Sequence, residues 1–454
     1  MPSLGLLYMA SYLRSKEISV ILLDAEGRCM NHEETVKFIL SNNPKTVGIT
    51  TTTTSILSAV SIAVSLKKIS SDIKIILGGP HVTALPNETM SSFKDIDACV
   101  LGDGEINFAK LITNILSGKY LSDGIDGLIY RNGDEIKLKS KKGYLENLDS
   151  LPFPAWDMLN GFPSIYRPPF HSYRRLPLAN IVTARGCPFA CSFCDRSVFG
   201  GKIHSHSVEY IVEMIEYLVK DFGIKEISIK DDMFIISKER VHQFCDQLLK
   251  KNLNIQWSCN ARVNFISDDI LKEIKGAGCW MVSYGIESGS PLMLKKMMKG
   301  ISKEQVMTAL KLTRKNDIVS KGFFMIGMPG ETEKTIQETL DFIKDLPLDE
   351  LNINFFTPFP GSRLYQEVLA EGFKPDYSRM NMLDTVYVPK ELTEEKLRSY
   401  QKKIIYVFYL KFSKLVLYLR RAFQDMDEFK RNLRMLKMFM KVIYSSLKRE
   451  AKRS

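Results

Sequence analysis

Hydrophobic and polar positions alternate between strand-like and helix-like spacing along the first 117 residues. Short apolar runs at residues 45–51, 73–77 and 98–101 predict buried strands, and the run at 18–24 fits the same series. Helical spacing follows at residues 34–40, 56–69 and again after the Gly-Asp-Gly-Glu sequence at 102–105. This alternation is typical of a parallel sheet with helices on both faces, and the glycine breaks mark the edge where such sheets bind ligands.

The start of the chain departs from the pattern of a doubly wound domain. Residues 4–14 have helical spacing, and no strand pattern precedes them. A doubly wound domain normally opens with a strand. We therefore expect the natural gene to encode an upstream strand, so that this chain carries the domain without its first strand.

The remainder divides into a connector, a second α/β unit and a tail. Asn132-Gly133 between two strand-like runs predicts a hairpin, and the proline-rich residues 151–156 predict an extended linker. Six strand patterns separated by helices begin at residue 181, which predicts a partial (β/α)6 barrel. The predicted division is 1–120, a hairpin and linker at 121–157, the barrel at 158–375, and a helical region at 376–454.

Composition and charge narrow the class of protein. Apolar residues make up 45% and charged residues 25%, as in a folded globular protein. Of the net charge of +11, residues 391–454 carry +10 (17 Lys/Arg against 7 Asp/Glu), so the basic character belongs to the tail. The chain shows neither a signal peptide nor a spanning apolar segment, which predicts a cytoplasmic protein.

Three of the eight cysteines lie within eight residues, at Cys187, Cys191 and Cys194. A Cys-x3-Cys-x2-Cys loop can bind three irons of a [4Fe–4S] cubane and leave the fourth without a protein ligand. A zinc site completed by His204 or His206 is an alternative, as is ferredoxin-like electron transfer, although a ferredoxin needs a fourth cysteine. Cys245, Cys259 and Cys279 lie in apolar contexts and are interpreted as buried core thiols.

The cysteine loop, with an aromatic residue before its third cysteine, resembles the signature of the radical S-adenosylmethionine (SAM) superfamily. Residues 226–234, 257–262, 284–289 and 324–331 resemble, in order, motifs of its cobalamin-dependent branch. The resemblance implies that Cys187, Cys191 and Cys194 hold the cluster, whose open iron binds SAM. Reductive cleavage of SAM would then form a 5′-deoxyadenosyl radical that takes a hydrogen atom from the substrate.

The same resemblance implies a set of SAM contacts. Asp232 would lie near the methionine amine, Arg262 near the carboxylate, and Glu287 at the ribose hydroxyls. Gly327 and Gly330 would let the backbone approach the adenine, and Phe193 would lie against the cofactor.

In the first domain, residues 2–13, 47–52, 76–83 and 100–105 together resemble a Rossmann-like cobalamin-binding domain. The resemblance implies cobalamin contacts at Thr51, Thr52, Gly78, Gly79, His81, Gly102, Gly104 and Glu105. The Asp-x-His-x2-Gly motif that supplies a histidine ligand to cobalt is missing. We therefore interpret His81 as a contact of the cofactor tail or a packing residue.

The sequence thus predicts a cobalamin-dependent radical SAM enzyme, which resembles a branch that includes methyltransferases and the anaerobic magnesium-protoporphyrin ester cyclase. Methylation of an unactivated carbon is the preferred hypothesis, and oxidative cyclisation or another radical rearrangement is the alternative. Two non-enzymatic alternatives are an iron–sulfur or corrinoid sensor and a zinc-dependent nucleic-acid binder. Expected partners are a small-molecule substrate, lipid or tetrapyrrole included, an electron donor such as flavodoxin or ferredoxin, and no nucleic acid. The apolar runs at residues 404–419 and 435–443 predict two tail helices that cap the barrel, and contact of this basic tail with an anionic membrane surface is the alternative.

Overall fold

The computed structural model describes residues 1–166, 168–169, 172–411 and 414. Within these residues, two α/β units are formed by thirteen strands and fourteen α-helices. The strands are β1 Thr46–Thr50, β2 Lys74–Gly78, β3 Ala98–Val100, β4 Leu128–Asn132, β5 Glu135–Lys139, β6 Leu178–Ile181, β7 Ala184–Arg185, β8 His204–Ser205, β9 Glu226–Ile229, β10 Gln256–Ala261, β11 Cys279–Glu287, β12 Val319–Ile326 and β13 Glu350–Phe355. The helices are α1 Leu4–Ser15, α2 His32–Ser41, α3 Ile56–Ile69, α4 Pro80–Ala84, α5 Pro86–Ser92, α6 Glu105–Leu116, α7 Val208–Phe222, α8 Lys238–Lys251, α9 Asp268–Gly276, α10 Pro291–Lys296, α11 Lys303–Lys315, α12 Glu333–Asp345, α13 Arg363–Ala370 and α14 Glu394–Tyr409.

The first unit is a five-stranded sheet in the order β1-β2-β3-β4-β5. Strands β1 to β3 are parallel, as the alternating pattern predicts, and β4 and β5 form the predicted hairpin, which pairs antiparallel with β3. The hairpin therefore extends the sheet.

The strand expected at residues 18–24 is absent, which corrects that prediction. These residues follow α1 without joining the sheet, and Ile21 within them is 59% exposed. In a doubly wound sheet of order 2-1-3-4-5, a strand before α1 would lie between this segment and β1. Among the described residues no strand precedes α1. The segment consequently has no neighbour with which to form backbone hydrogen bonds.

The second unit is a six-stranded, fully parallel sheet in the order β13-β12-β11-β10-β9-β6, which confirms the predicted partial barrel. One face of each strand packs against the surrounding helices. Val282, Tyr284 and Ile286 of β11 and Phe324 and Ile326 of β12 lie in this core and are at most 1% exposed. The intervening residues, two apart along each strand, line the concave face.

Helix α1 joins the two units. Its Leu7 is buried in the core of the barrel, and the Leu7 carbonyl accepts a hydrogen bond from the Ala155 amide at 3.2 Å. Asn180 of β6 donates to the Pro2 carbonyl at 3.1 Å. The first helix therefore holds the sheet of the first unit against the open edge of the barrel.

Helix α14, in the tail, covers the other side of the barrel. Ile404 and Phe408 are fully buried in the barrel core, and the Tyr409 hydroxyl bonds both the amide and the carbonyl of Leu351 on edge strand β13. The predicted tail helices at residues 404–419 and 435–443 otherwise lie outside the described residues. Among the described residues, no helix has the length and apolar character needed to cross a bilayer.

Candidate functional site

The cysteine loop follows β7 and is tied to α10 and α13. Gly186 starts it with φ +88°, and a β-carbon there would lie 2.2 Å from the Lys202 carbonyl, so only glycine fits. The Ser192 amide donates to the Met297 carbonyl at 2.9 Å, the Ser192 hydroxyl donates to the Lys296 carbonyl at 3.0 Å, and the Ser192 carbonyl accepts from the Leu364 amide at 2.9 Å. The loop therefore has a defined shape.

Two cations surround the thiols. The Arg262 guanidinium lies 3.8 Å from the Cys191 sulfur and stacks 3.7 Å above the Phe189 ring, and Lys299 lies nearby. The pKa of Cys191 is lowered to about 6, first by a hydrogen bond with the Cys194 thiol and then by the Lys299 and Arg262 cations. Burial raises the pKa of Cys187. The hydrogen bond with Cys191, together with burial, raises the pKa of Cys194. Two cations beside three thiols in one loop suit the anionic ligand set of an iron–sulfur cluster.

The arrangement does not suit zinc. Within the part of the chain that the structure describes, no group of three or more His, Cys, Asp or Glu side chains is arranged around a single metal ion. Both nitrogens of His206 are engaged, with the Asp149 carboxylate at 2.9 Å and the Tyr8 hydroxyl at 3.2 Å. A cubane, in contrast, spreads three thiolates over three irons, as a single open loop can do.

Beside the thiols lie the predicted SAM residues at the ends of strands. Glu287 ends β11 with φ +67°, and its carboxylate pairs with Lys299 at 2.7 Å. Lys299 lies 5.7 Å from the centre of the Phe193 ring. Asp232 follows β9, close enough to Cys187 to raise the pKa of its thiol, and desolvation raises the pKa of Asp232 itself. The structure therefore brings Phe193, Asp232, Arg262 and Glu287 to the edge that carries the cysteines.

A turn after β12 presents the predicted glycines. Gly327 and Gly330 have φ +90° and +73°, which favours glycine at both positions. The Glu331 carboxylate accepts hydrogen bonds from the amides of Gly327 and Met328 through Oε2, whereas its buried Oε1 has no partner in the described chain. An unsatisfied buried oxygen in a turn that also contains the exposed Gly330 fits a turn that binds a polar ligand.

A cavity of about 380 Å³ lies between the two units and is lined by both. The predicted cobalamin residues on its surface are Thr52, Gly78, Gly79, Gly102, Gly104 and Glu105, and the barrel contributes Arg185, Lys230 and Asp232. A β-carbon on Gly78 would have only one neighbour, at 3.8 Å, so its backbone is open to a ligand. These features fit a corrinoid held against the mouth of the barrel.

Two predicted residues lie behind this surface. The Thr51 hydroxyl donates to the Gly78 carbonyl at 2.8 Å, and His81 is buried against Tyr377 with its Nδ1 3.2 Å from the Thr53 hydroxyl. Burial lowers the pKa of His81 to about 4. Neither residue lines the cavity, so both support the loops that do.

Arg185 is a functional candidate that motif reasoning missed. It stands two residues before the first cysteine, is buried, and pairs with Asp103 at 2.9 Å and with Glu105 at 2.6 Å. Oε2 of Glu105 is buried without a partner among the described residues. Its position directly before the cysteine motif was the available signal, but the sequence does not show that Asp103 and Glu105 lie opposite.

Comparison with known protein families gives two matches. The model of the radical SAM superfamily matches residues 181–343, and that of the B12 binding domain matches residues 1–112. Each range covers the larger part of one α/β unit, and together they include the cysteine loop and the glycine loops.

Relatives match along most of the chain. An uncharacterised methyltransferase of Pyrococcus horikoshii is 34% identical over 415 residues, which are 90% of this chain and 88% of the relative. The anaerobic magnesium-protoporphyrin IX monomethyl ester cyclase of Rubrivivax gelatinosus is 29% identical over 412 residues, 88% of this chain and 73% of the relative. The solved structure of the cobalamin-dependent SAM radical enzyme OxsB, with aqua-cobalamin and SAM bound, superposes with a TM-score of 0.72 at 18% identity and covers 99% of this chain and 79% of its own.

Proposed function

Because this chain belongs to the radical SAM superfamily and carries its B12-binding domain, we propose that Cys187, Cys191 and Cys194 ligate its [4Fe–4S] cluster. The chain is an enzyme whose cofactors are that cluster, SAM and cobalamin. When bound, they supply an electron, a 5′-deoxyadenosyl radical and a carrier for a methyl group. The observation that supports the residue assignments is the cavity between the two units, which is lined by the glycine loops of the first unit and by Arg185 and Asp232 near the cysteines.

The chain's own residues orient these groups. Arg262 and Lys299 offset the negative charge of the thiolates, and Glu287 is held by Lys299 at the end of β11. The Gly327–Glu331 turn offers backbone and carboxylate groups, and Asp232 points its acid into the cavity. Arg185 ties the cysteine loop to the Gly102–Glu105 loop and excludes water between them. We assign the residues around the cysteines and the Gly327–Glu331 turn to SAM binding. We assign the interface at Arg185 to cobalamin binding.

We further propose that the reaction transfers a methyl group to an unactivated carbon of a small molecule. The relative from Pyrococcus horikoshii, which matches along nearly its whole length, is named a methyltransferase. Cyclisation is the second candidate, since the relative from Rubrivivax gelatinosus is a cyclase. A redox partner of the flavodoxin or ferredoxin type would supply the electron, and the basic tail would contact an anionic membrane surface.

Replacing each cluster cysteine in turn tests the assignment. Cys187→Ala, Cys191→Ala and Cys194→Ala should each lose the cluster absorption near 400 nm and abolish 5′-deoxyadenosine formation, because three thiolates are the minimum for the loop to hold the cubane. Cys245→Ala, a matched change at a buried core thiol, should keep both. Full SAM cleavage by any of the three loop variants would refute the ligand assignment.

Isotope-labelled SAM separates the two reactions. Methyl transfer places the labelled methyl carbon in the product, whereas cyclisation yields an unlabelled product. A product without label, formed at the same rate as 5′-deoxyadenosine, would favour cyclisation.

A further inference from the structure

The concave face of the barrel is polar, in contrast to its helix-packed face. On β9, Ile227 and Ile229 lie in the core and Ser228 alternates with them. On β12, Phe324 and Ile326 lie in the core, so Lys321 and Phe323 face the opposite way. The side chains on this concave face include Asn180, Ser228, Lys230, Ser258, Asn260, Ser283 and Lys321.

The register of the strands places Lys230 and Lys321 at the same level of the sheet. Asn260 pairs with Ser283, and Ser283 pairs with Lys321. Lys230 stands two residues beyond the Ser228–Ser258 pair and is therefore level with Asn260. Lys230 and Lys321 thus flank Asn260 and Ser283, one layer below Asp232 and Arg262.

Neither lysine has an ionic partner among the described residues. Lys321 is 8% exposed, and no acid lies within 4.0 Å of its ammonium, although Glu350 is its register neighbour on β13. Lys230 is accessible from the cavity between the two units, which it lines. Desolvation lowers the pKa of both lysines, and the charge of Lys321 lowers that of Lys230 further, so the two ammonium groups influence each other.

The acids near these lysines are committed elsewhere or only partly compensate them. Glu226, at the start of β9, accepts hydrogen bonds from the Arg174 and Arg175 amides and from the Trp280 indole. Its charge raises the pKa of Lys230, but by less than desolvation and the charge of Lys321 lower it. Lys321 is a buried cation, and Lys230 is a second cation at the same level that is exposed to the cavity. Because a buried charge without a close ionic partner costs stability, this pair indicates a ligand that enters from the cavity and supplies negative charge.

We propose that Lys230 and Lys321 bind an anionic group of the substrate, a carboxylate or a phosphate, on the floor of the active site. Asn260 and Ser283 between them offer neutral hydrogen bonds to the same ligand. This inference rests on the proposed function, because it places the substrate on the concave face next to the SAM residues. It names the substrate class as anionic and gives the site that recognises it.

Malonate and its neutral isostere malonamide are the probes. They are titrated calorimetrically, without oxygen, into the full-length enzyme carrying its cluster and saturated with SAM, so that the SAM carboxylate site is filled. The wild-type enzyme should bind malonate at least tenfold more tightly than malonamide. Lys230→Gln and Lys321→Gln should each weaken malonate at least tenfold and leave malonamide unchanged. Lys334→Gln, which removes the same charge from the exposed face of α12, should bind like the wild type.

Equal binding of the two probes by the wild type, or wild-type malonate affinity in both site variants, would overturn the inference. If the Lys321→Gln variant does not load the cluster, the malonate affinity of Lys230→Gln alone decides the question, because Lys230 is accessible. Cluster absorption and SAM cleavage are measured in the same samples. If the wild type has the cluster and cleaves SAM but binds malonate and malonamide equally, only the anion site is rejected. If the wild type lacks the cluster absorption and SAM cleavage, the proposed function is rejected.

The thermal unfolding temperature separates binding from a structural role. If Lys321 only neutralises Glu350, Lys321→Met should lower the thermal unfolding temperature and leave the malonate affinity unchanged. That result would contradict the proposal. If Lys321 serves the ligand, Lys321→Met should keep or raise the unfolding temperature while malonate affinity falls, because it removes a desolvated charge.

Discussion

At the scale of single residues, Glu331 shows how burial changes the charge of an acid. It is 1% exposed, and desolvation raises its pKa to about 7, against the smaller opposing effect of two backbone amides. The folded state therefore favours the protonated acid. The resulting stabilisation is complete below the unfolded pKa, near 4.5, and is lost as the pH rises through 7.

Glu331→Gln should remove this dependence, because glutamine keeps an acceptor for the amides but does not ionise. Between pH 5 and pH 8 the wild type should lose about 2 kcal/mol of unfolding free energy relative to the variant. Denaturant unfolding at both pH values measures this change in unfolding free energy. Taking the difference between the two proteins cancels the contribution of groups that titrate in both. Glu146→Gln, at an exposed acid, is the control. Parallel pH curves for wild type and Glu331→Gln would contradict the raised pKa.

Single residues can be proposed from the sequence where a local motif names them. The cysteines lie within one loop, and Glu287 closes a strand, so their chemistry can be inferred from adjacent letters. Arg185, Lys230 and Lys321 could not be inferred, because their importance depends on which strands and loops lie opposite. Spacing along the chain does not contain that information.

At the scale of elements, strands were predicted well where neighbouring strands exist. Five of the six barrel strands and the hairpin formed where expected. The first barrel strand, expected from residue 181, lies at Leu178–Ile181, and residues 18–24 formed no strand. An apolar run becomes a strand only when another strand satisfies its backbone, and this is a property of the sheet.

The loop carrying Asp103 and Glu105 and the strand carrying Arg185 are likewise joined by a buried contact. Removing one member of such a network leaves a charge unpaired, which costs about 3–5 kcal/mol. Arg185→Met should therefore be strongly destabilising, and it should also weaken cobalamin binding, since Glu105 lines the cavity.

The combined variant Arg185→Met, Asp103→Asn, Glu105→Gln should recover most of the lost stability, because it leaves no unpaired charge. Denaturant unfolding gives the energies, and absorption of added cobalamin reports binding. An unchanged stability in Arg185→Met would show that the ion pairs do not hold the two elements together.

At the scale of the whole molecule, the tail divides into a structural part and a basic part. Helix α14 buries Ile404 and Phe408 in the barrel core and bonds edge strand β13 through Tyr409. Helix α14 therefore belongs to the folded core and cannot be removed without exposing it. Helical spacing predicted this helix, but its docking on β13 depends on the order of the strands, which only the fold shows.

The basic part can be tested apart from α14. Deleting residues 415–454 removes 11 Lys/Arg and 4 Asp/Glu, a net charge of +7, and spares the contacts that α14 makes with the other described residues. A basic side chain near an anionic bilayer contributes about 1 kcal/mol, and salt screens this attraction. The full chain should sediment with vesicles rich in anionic lipid at low salt and release at high salt, whereas the deletion variant should stay in solution with an unchanged cluster spectrum. Deletion from residue 391 should instead unfold the barrel, because it removes Ile404 and Phe408 and exposes the part of the barrel core that they cover. If the 415–454 deletion still sediments with the vesicles, the described part of the molecule, and not the basic tail, carries the membrane contact.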